Sequence, residues 1–178
     1  MQNVTVTFFA PVYITESPEK VGAAVSHLVN YGRPKSEEIR PEMISCADKE
    51  AAGNMPERDG MNPPISDAEN IKEVAVISGD LNLLTGIHYL IRKEEIIDTA
   101  NTALKEGTDA GGCQICVALN KQAALMKRLS FPADSETLGS VYLKIETENE
   151  EDLLKIIDWL TPPTKDGIPL YELKKNEL

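Results

Sequence analysis

Residues 4–8 read Val-Thr-Val-Thr-Phe, and residues 141–146 read Val-Tyr-Leu-Lys-Ile-Glu. In both segments large apolar side chains alternate with side chains suited to water, the period-two signature of a strand with one buried face. A sheet built from such strands needs a covering layer on that face, and the rest of the chain supplies it as helical stripes.

The first stripe begins at Ser17-Pro18-Glu19, which combines an N-cap residue, a proline at the first helical position and an early acid. Val21, Val25, Leu28 and Val29 follow at helical spacing, and Gly32 and Pro34 stop the pattern. Residues 74–77 (Val-Ala-Val-Ile) predict a short strand. Gly79-Asp80 then lead into a helix through Leu84, Ile87 and Ile91, and a second runs through Ile96, Ile97, Ala100 and Leu104. Gly107 is placed to cap that second helix. Residues 115–119 and 125–131 are expected as strands flanking a short helical or irregular turn. Asn149-Glu150-Glu151-Asp152 resembles a capped helix start, with Leu153, Ile156, Ile157 and Leu160 forming its stripe. Thr161-Pro162-Pro163 ends that helix, and Asp166-Gly167 marks a turn before a short C-terminal segment, residues 168–173.

The predicted order is β-α-(insertion)-β-α-α-β-(α)-β-β-α. Without regular βα alternation, it favours a two-layer α+β sandwich over a doubly wound sheet. The chain of 178 residues is expected to form a single domain. Residues 33–72 interrupt it: prolines at 34, 41, 56, 63 and 64 and glycines at 53 and 60 break every periodic pattern. This stretch is read as an insertion or mobile excursion, with residues 36–52 able to carry a helix.

Hydrophobic residues at 42% are enough for a core without disulfides or metal, and three cysteines do not make a disulfide framework. The N-terminal segment lacks the basic and continuous apolar regions of a signal peptide, and no apolar run is long enough to cross a bilayer. A cytoplasmic protein is expected. A net charge of −11 and a pI near 4.7 set a hurdle for nucleic-acid binding, since binders usually neutralise phosphates with a basic surface.

Catalytic chemistry finds little support. Cys113 and Cys116 have C-x-x-C spacing, but no second such pair or H-x-x-x-H completes a zinc site, and a strand would turn the two thiols to opposite faces. His27 and His88 fall within predicted helices, away from any nucleophile motif, and no phosphate-binding glycine loop is present. The acids Glu146, Glu148, Glu150, Glu151 and Asp152 suit a solvated helix start and lack calcium-loop spacing. A non-enzyme without metal or cofactor is expected.

One segment departs from the acidic character. Residues 110–133 contain no Asp or Glu, yet hold Lys121, Lys127 and Arg128, with Asn120 and Gln122 as neutral donors and acceptors. Two readings stand: a nucleic-acid surface, or a mostly buried strand pair that avoids acids for packing reasons.

Four blocks carry a resemblance: APVYITESPEKV at 10–21, LNLLTGIHYLIRKEEIIDTA at 81–100, LNKQAALMKRLSF at 119–131, and IDWLTPPTKDGIPLYEL at 157–173. In this order they resemble the archaeal uncharacterised protein family two-zero-one, described as predicted RNA-binding proteins and related to archaeal predicted exosome subunits. The resemblance implies a fold like that of large-subunit ribosomal protein L-five, and it implies RNA binding by analogy of fold. It brings no catalytic residue or cofactor. The chain departs from the family in its longer 33–72 region, in Asn101 where a basic residue is expected, and in the Cys113 and Cys116 pair. Trp159 is expected to anchor the last helix in the core, and Asp166-Gly167 to shape a turn.

The expectation is therefore a non-catalytic module that binds RNA or a ribonucleoprotein. Its contacts would be Asn120, Lys121, Gln122, Lys127 and Arg128, flanked by Arg92 and Lys93. The alternative is a protein-interaction or assembly module, or a homo-oligomer, that makes no RNA contact.

Overall fold

In the computed structural model, residues 3–45, 70–132, 136 and 139–175 are described. Among these residues five strands form one antiparallel sheet: β1 (Thr5–Tyr13), β2 (Glu42–Ser45), β3 (Ile71–Gly79), β4 (Gln114–Leu119) and β5 (Val141–Glu146). Their spatial order is β2-β3-β1-β5-β4, so β1 lies at the centre between β3 and β5. Five helices among the described residues cover one face: α1 (Pro18–Asn30), α2 (Thr85–Lys93), α3 (Ile97–Glu106), α4 (Lys121–Leu125) and α5 (Glu150–Leu160). A two-residue hairpin pair, β6 (Thr164–Lys165) and β7 (Ile168–Pro169), follows α5. The architecture is the α+β arrangement that the alternating strands demand.

The alternation explains which face is covered. Val6, Phe8, Ala10 and Val12 of β1 join Val141, Leu143 and Ile145 of β5 and the stripes of all five helices in one buried cluster. The intervening Phe9 points the other way and stacks on Tyr142 of β5, with ring centroids 5.0 Å apart. Trp159 is buried in the core as expected, and Asp166 and Gly167 make the hairpin turn with φ of 53° and 77°. Asn149 caps α5 by accepting from the Asp152 amide at 2.8 Å. Ser17 starts α1, but its hydroxyl makes no capping bond.

Two glycines mark close backbone approaches. A Cβ on Gly86 of α2 would lie 2.1 Å from the Leu28 carbonyl oxygen of α1, so this crossing admits no side chain. Gly107 does end α3, yet with φ −74° it is not a left-handed cap. Its role is proximity: a Cβ there would lie 2.7 Å from the Cys116 carbonyl of β4.

Three expectations need correction. Residues 125–131 do not form a strand. Asn120 N-caps α4, accepting from the Ala123 amide at 2.7 Å, and the helix closes with Lys127 at φ 60°. There Lys127 N donates to Ala124 O and Arg128 N to Ala123 O, the paired closure of a Schellman motif. The apolar residues 125, 129 and 131 thus alternate without a partner strand, and the local cap overrides the pattern. Second, part of the supposed excursion belongs to the sheet: Glu42–Ser45 pairs with β3 as an edge strand. Only two of its four residues are apolar, too few to show a period, and the open edge of β3 supplies the drive. Third, the helix placed within residues 36–52 is reduced to a single 3-10 turn, Lys35–Glu37, in its described part. Residues 46–69, with the rest of that expected insertion and Cys46, lie outside the described residues.

Candidate nucleic-acid interface

The seven residues singled out from the sequence divide into two groups. Asn120, Lys121 and Arg92 are occupied in holding the fold. Asn120 caps α4 through its Oδ1, and its amide nitrogen donates to Glu136. Lys121 is buried, 6% exposed, and its ammonium donates to the Pro11 carbonyl at 2.8 Å and to both oxygens of Glu16, at 2.9 and 3.1 Å. Burial pushes its amine below the ordinary lysine value, and the Glu16 carboxylate opposes that shift. A phosphate cannot reach this ammonium without breaking the pair, so Lys121 is withdrawn from the expected contacts.

Arg92 is a clamp. Its guanidinium donates to the carbonyls of Leu160 (2.7 Å) and Trp159 (3.0 Å) at the end of α5, and to the Glu172 carboxylate at 2.9 and 3.2 Å. Those carbonyls are among the unsatisfied acceptors of a helix terminus, which a cation caps well. One turn back on α2, His88 stacks on Trp159 with centroids 4.6 Å apart. Its Nε2 is buried without a hydrogen-bond partner among the described residues. Burial, helped by the Arg92 charge and opposed by Glu172, holds the imidazole pKa down at about 4. Asn101 donates to Thr161 Oγ1 at 2.9 Å, tying α3 to the same helix end.

Gln122, Lys127, Arg128 and Lys93 remain exposed. Gln122 borders a surface pocket of about 320 Å³ beside Lys20 of α1. Lys127 lines another, of about 300 Å³, with His27, Asn30, Tyr31, Arg33 and Lys35 around the C-terminal end of α1. His27 braces the floor: its Nδ1 lies 3.1 Å from the Leu125 carbonyl and 3.3 Å from that of Ala124. Lys93 donates to the Tyr31 hydroxyl and sits 4.8 Å from that ring's centroid, a cation–π contact. Arg128 lies 3.6 Å from Glu94 and is 70% exposed.

The sequence reading missed the aromatic part of this surface. Tyr31 and Tyr89 pack with centroids 5.5 Å apart and planes tilted by 38°. Tyr31 leans on the core, while Tyr89 is 56% exposed. The Gly86 crossing places them together, since it draws α2 against the last turn of α1 three residues before Tyr89. One signal was available: Tyr89 and Lys93 are four residues apart on a helix whose apolar stripe lies elsewhere, so they share an outward face.

Among the described residues, no three His, Cys, Asp or Glu side chains gather to hold a metal ion. Cys116 is buried and the Cys113 thiol points to the Gly111 carbonyl. No helix among the described residues is long and apolar enough to cross a membrane.

No family model matches the chain. A UPF0201 protein of Methanosarcina acetivorans is 35% identical over 175 residues, covering 98% of this chain and 93% of the relative. The chain belongs to the UPF0201 family. A UPF0201 protein of Methanopyrus kandleri is 45% identical over 93 residues, 52% of this chain and 58% of the relative. The fold agrees with the crystal structure of a UPF0201 protein from Methanococcus jannaschii at a TM-score of 0.66 and 23% identity, across 94% of this chain and 99% of that one.

The structure brings the four sequence blocks together in pairs. Block 10–21 supplies Pro11 and Glu16 to Lys121 of block 119–131. Block 81–100 supplies His88 and Arg92 to Trp159, Leu160 and Glu172 of block 157–173. The four blocks therefore pair off as two internal clamps, and the exposed candidates Gln122, Lys127, Arg128 and Lys93 lie beside them.

Proposed function

We propose that this protein is a non-catalytic RNA- or ribonucleoprotein-binding module whose contact surface is the Tyr31–Tyr89 face with Lys93, Lys127, Arg128 and Lys35. The observation that carries the reading is the exposed Tyr89 ring set beside Tyr31, with the Lys93 ammonium on the Tyr31 ring. An exposed aromatic ring flanked by cations offers a base a stacking partner and its phosphates a counter-charge. Gln122 extends the surface along α4. The expected likeness to ribosomal protein L-five and a cytoplasmic location belong to the same reading.

Anisotropy of labelled RNA oligonucleotides tests it. Replacing Lys93→Gln, Lys127→Gly and Arg128→Gln together should weaken binding at least tenfold with no loss of thermal stability. Binding by the triple variant equal to that of the native chain overturns the assignment. Lys121 is left out because its substitution disturbs the fold.

A second reading, a protein-contact or self-association module, draws on the exposed Ile168 (70%), Leu170 (63%) and Tyr171 (46%) after α5. Salt separates the two: RNA affinity falls as salt rises, whereas an apolar contact does not weaken.

A further inference from the structure

We infer that the RNA held on the Tyr31–Tyr89 face is a single unpaired strand, gripped chiefly by a base stacked on Tyr89, rather than a duplex gripped by its phosphates. The inference rests on the RNA reading and specifies its ligand.

Charge decides against the duplex. Around the face the exposed cations Lys35, Lys93, Lys127 and Arg128 are accompanied by Glu37, Glu38, Glu94 and Glu95. Arg128 is already engaged by Glu94. Even four complete phosphate contacts would give a salt slope of only about −3 to −4, and the neighbouring acids cut that further. A protein of net charge −11 cannot rely on that term for affinity.

Shape decides for the single strand. Tyr89 stands on α2 with more than half its surface open, and it packs against Tyr31 and Gly32. A duplex presents sugars and phosphates to such a ring, because its base faces are already stacked. An unpaired base offers a free π-face, and stacking tolerates any sequence. The pocket of about 300 Å³ that adjoins Tyr31 is lined by both Lys127 and Lys35, so a strand entering it from the ring meets two cations. The pocket sits at the C-terminal end of α1, where the helix dipole is unfavourable for a buried phosphate. It thus suits a sugar or base better than a terminal phosphate.

The test compares a 12-nucleotide oligo(U), an oligo(A) of equal length and a fully paired 12-base-pair RNA, using the intact protein. Both single strands should bind at least tenfold tighter than the duplex, with a salt slope shallower than about −2. Tyr89→Ala should weaken single-strand binding about tenfold or more, the effect of losing one stacked base. Tyr89→Trp should retain binding, and its added indole fluorescence should be quenched by the single strands. Trp159 supplies only a buried, constant background. Duplex binding equal to or tighter than single-strand binding, lost in the triple cation variant and indifferent to Tyr89→Ala, overturns this inference and leaves the RNA reading standing. Absence of binding to all three RNAs overturns both.

Discussion

The Lys121 ammonium lies 2.9 Å from Glu16 Oε2, and the two side chains are only 7% and 12% exposed. A cation in an acid-free segment thus serves as an internal staple, fastening the start of α4 to the β1–α1 connection. Removing one partner strands a buried charge, which costs about 3 kcal/mol or more. Lys121→Met should lower unfolding free energy by about that amount in urea titration, and adding Glu16→Gln should recover part of it. A single-variant loss well under 1 kcal/mol would show the pair to be incidental.

Gly86 permits what no other residue does at its crossing. Gly86→Ala sets a methyl group against the Leu28 carbonyl and must push α2 from α1. The expected loss is at least about 2–3 kcal/mol. Because the Tyr31–Tyr89 pair depends on that crossing, any folded fraction should bind RNA less well than native protein.

Arg92 and Glu172 tie the chain after α5 to α2. Arg92→Met leaves the Trp159 and Leu160 carbonyls without their guanidinium and frees Glu172. The expected cost is about 2 kcal/mol, with faster proteolysis near residues 168–175. An unchanged cleavage pattern would argue against the clamp.

His88 makes stability depend on pH. Its folded pKa of about 4 lies below the ordinary 6.5, so between those values the unfolded chain binds a proton that the folded chain refuses. Its contribution is complete above pH 6.5 and is lost as pH falls toward 4. Allowing for partial exposure, the loss is about 1–2 kcal/mol. His88→Phe keeps an aromatic partner for Trp159 and should flatten the stability profile across that window. A profile of unchanged slope would exclude His88 as its source.

Lys127 occupies a left-handed position, φ 60°, that glycine takes without strain. Lys127→Gly should raise stability by a few tenths to about 1 kcal/mol while weakening RNA binding. Opposite signs in one variant would separate a contact residue from a structural one.

Much of the fold was legible in the sequence because the core obeys simple periods. The stripes of α1, α2, α3 and α5 and the alternation in β1 and β5 all face the cluster they were expected to face. What escaped notice depended on contacts distant in sequence or on a cap outweighing a pattern. Glu42–Ser45 is a strand because β3 offers an edge, and residues 126–130 turn because Asn120 and Lys127 close a short helix. The site was only half legible for a related reason. Charge marks a lysine as a surface candidate, but only three-dimensional proximity shows that Lys121 has an internal acid and Arg92 an internal helix end. Tyr31 and Tyr89 belong to different helices, so no local pattern could join them.

The position of β1 bears on how the chain acquires its shape during synthesis. Phe8 lies opposite Ile77 on one side and Leu143 on the other, although it precedes both in the chain by long intervals. The central strand must therefore wait for β3 to close one edge and for β5 to close the other. Closing such long loops is slow, since their entropy is lost before distant pairings repay it. A nascent chain halted before β5 would expose the Phe8 edge to any neighbouring strand, so co-translational chaperone binding is expected to concentrate in that interval.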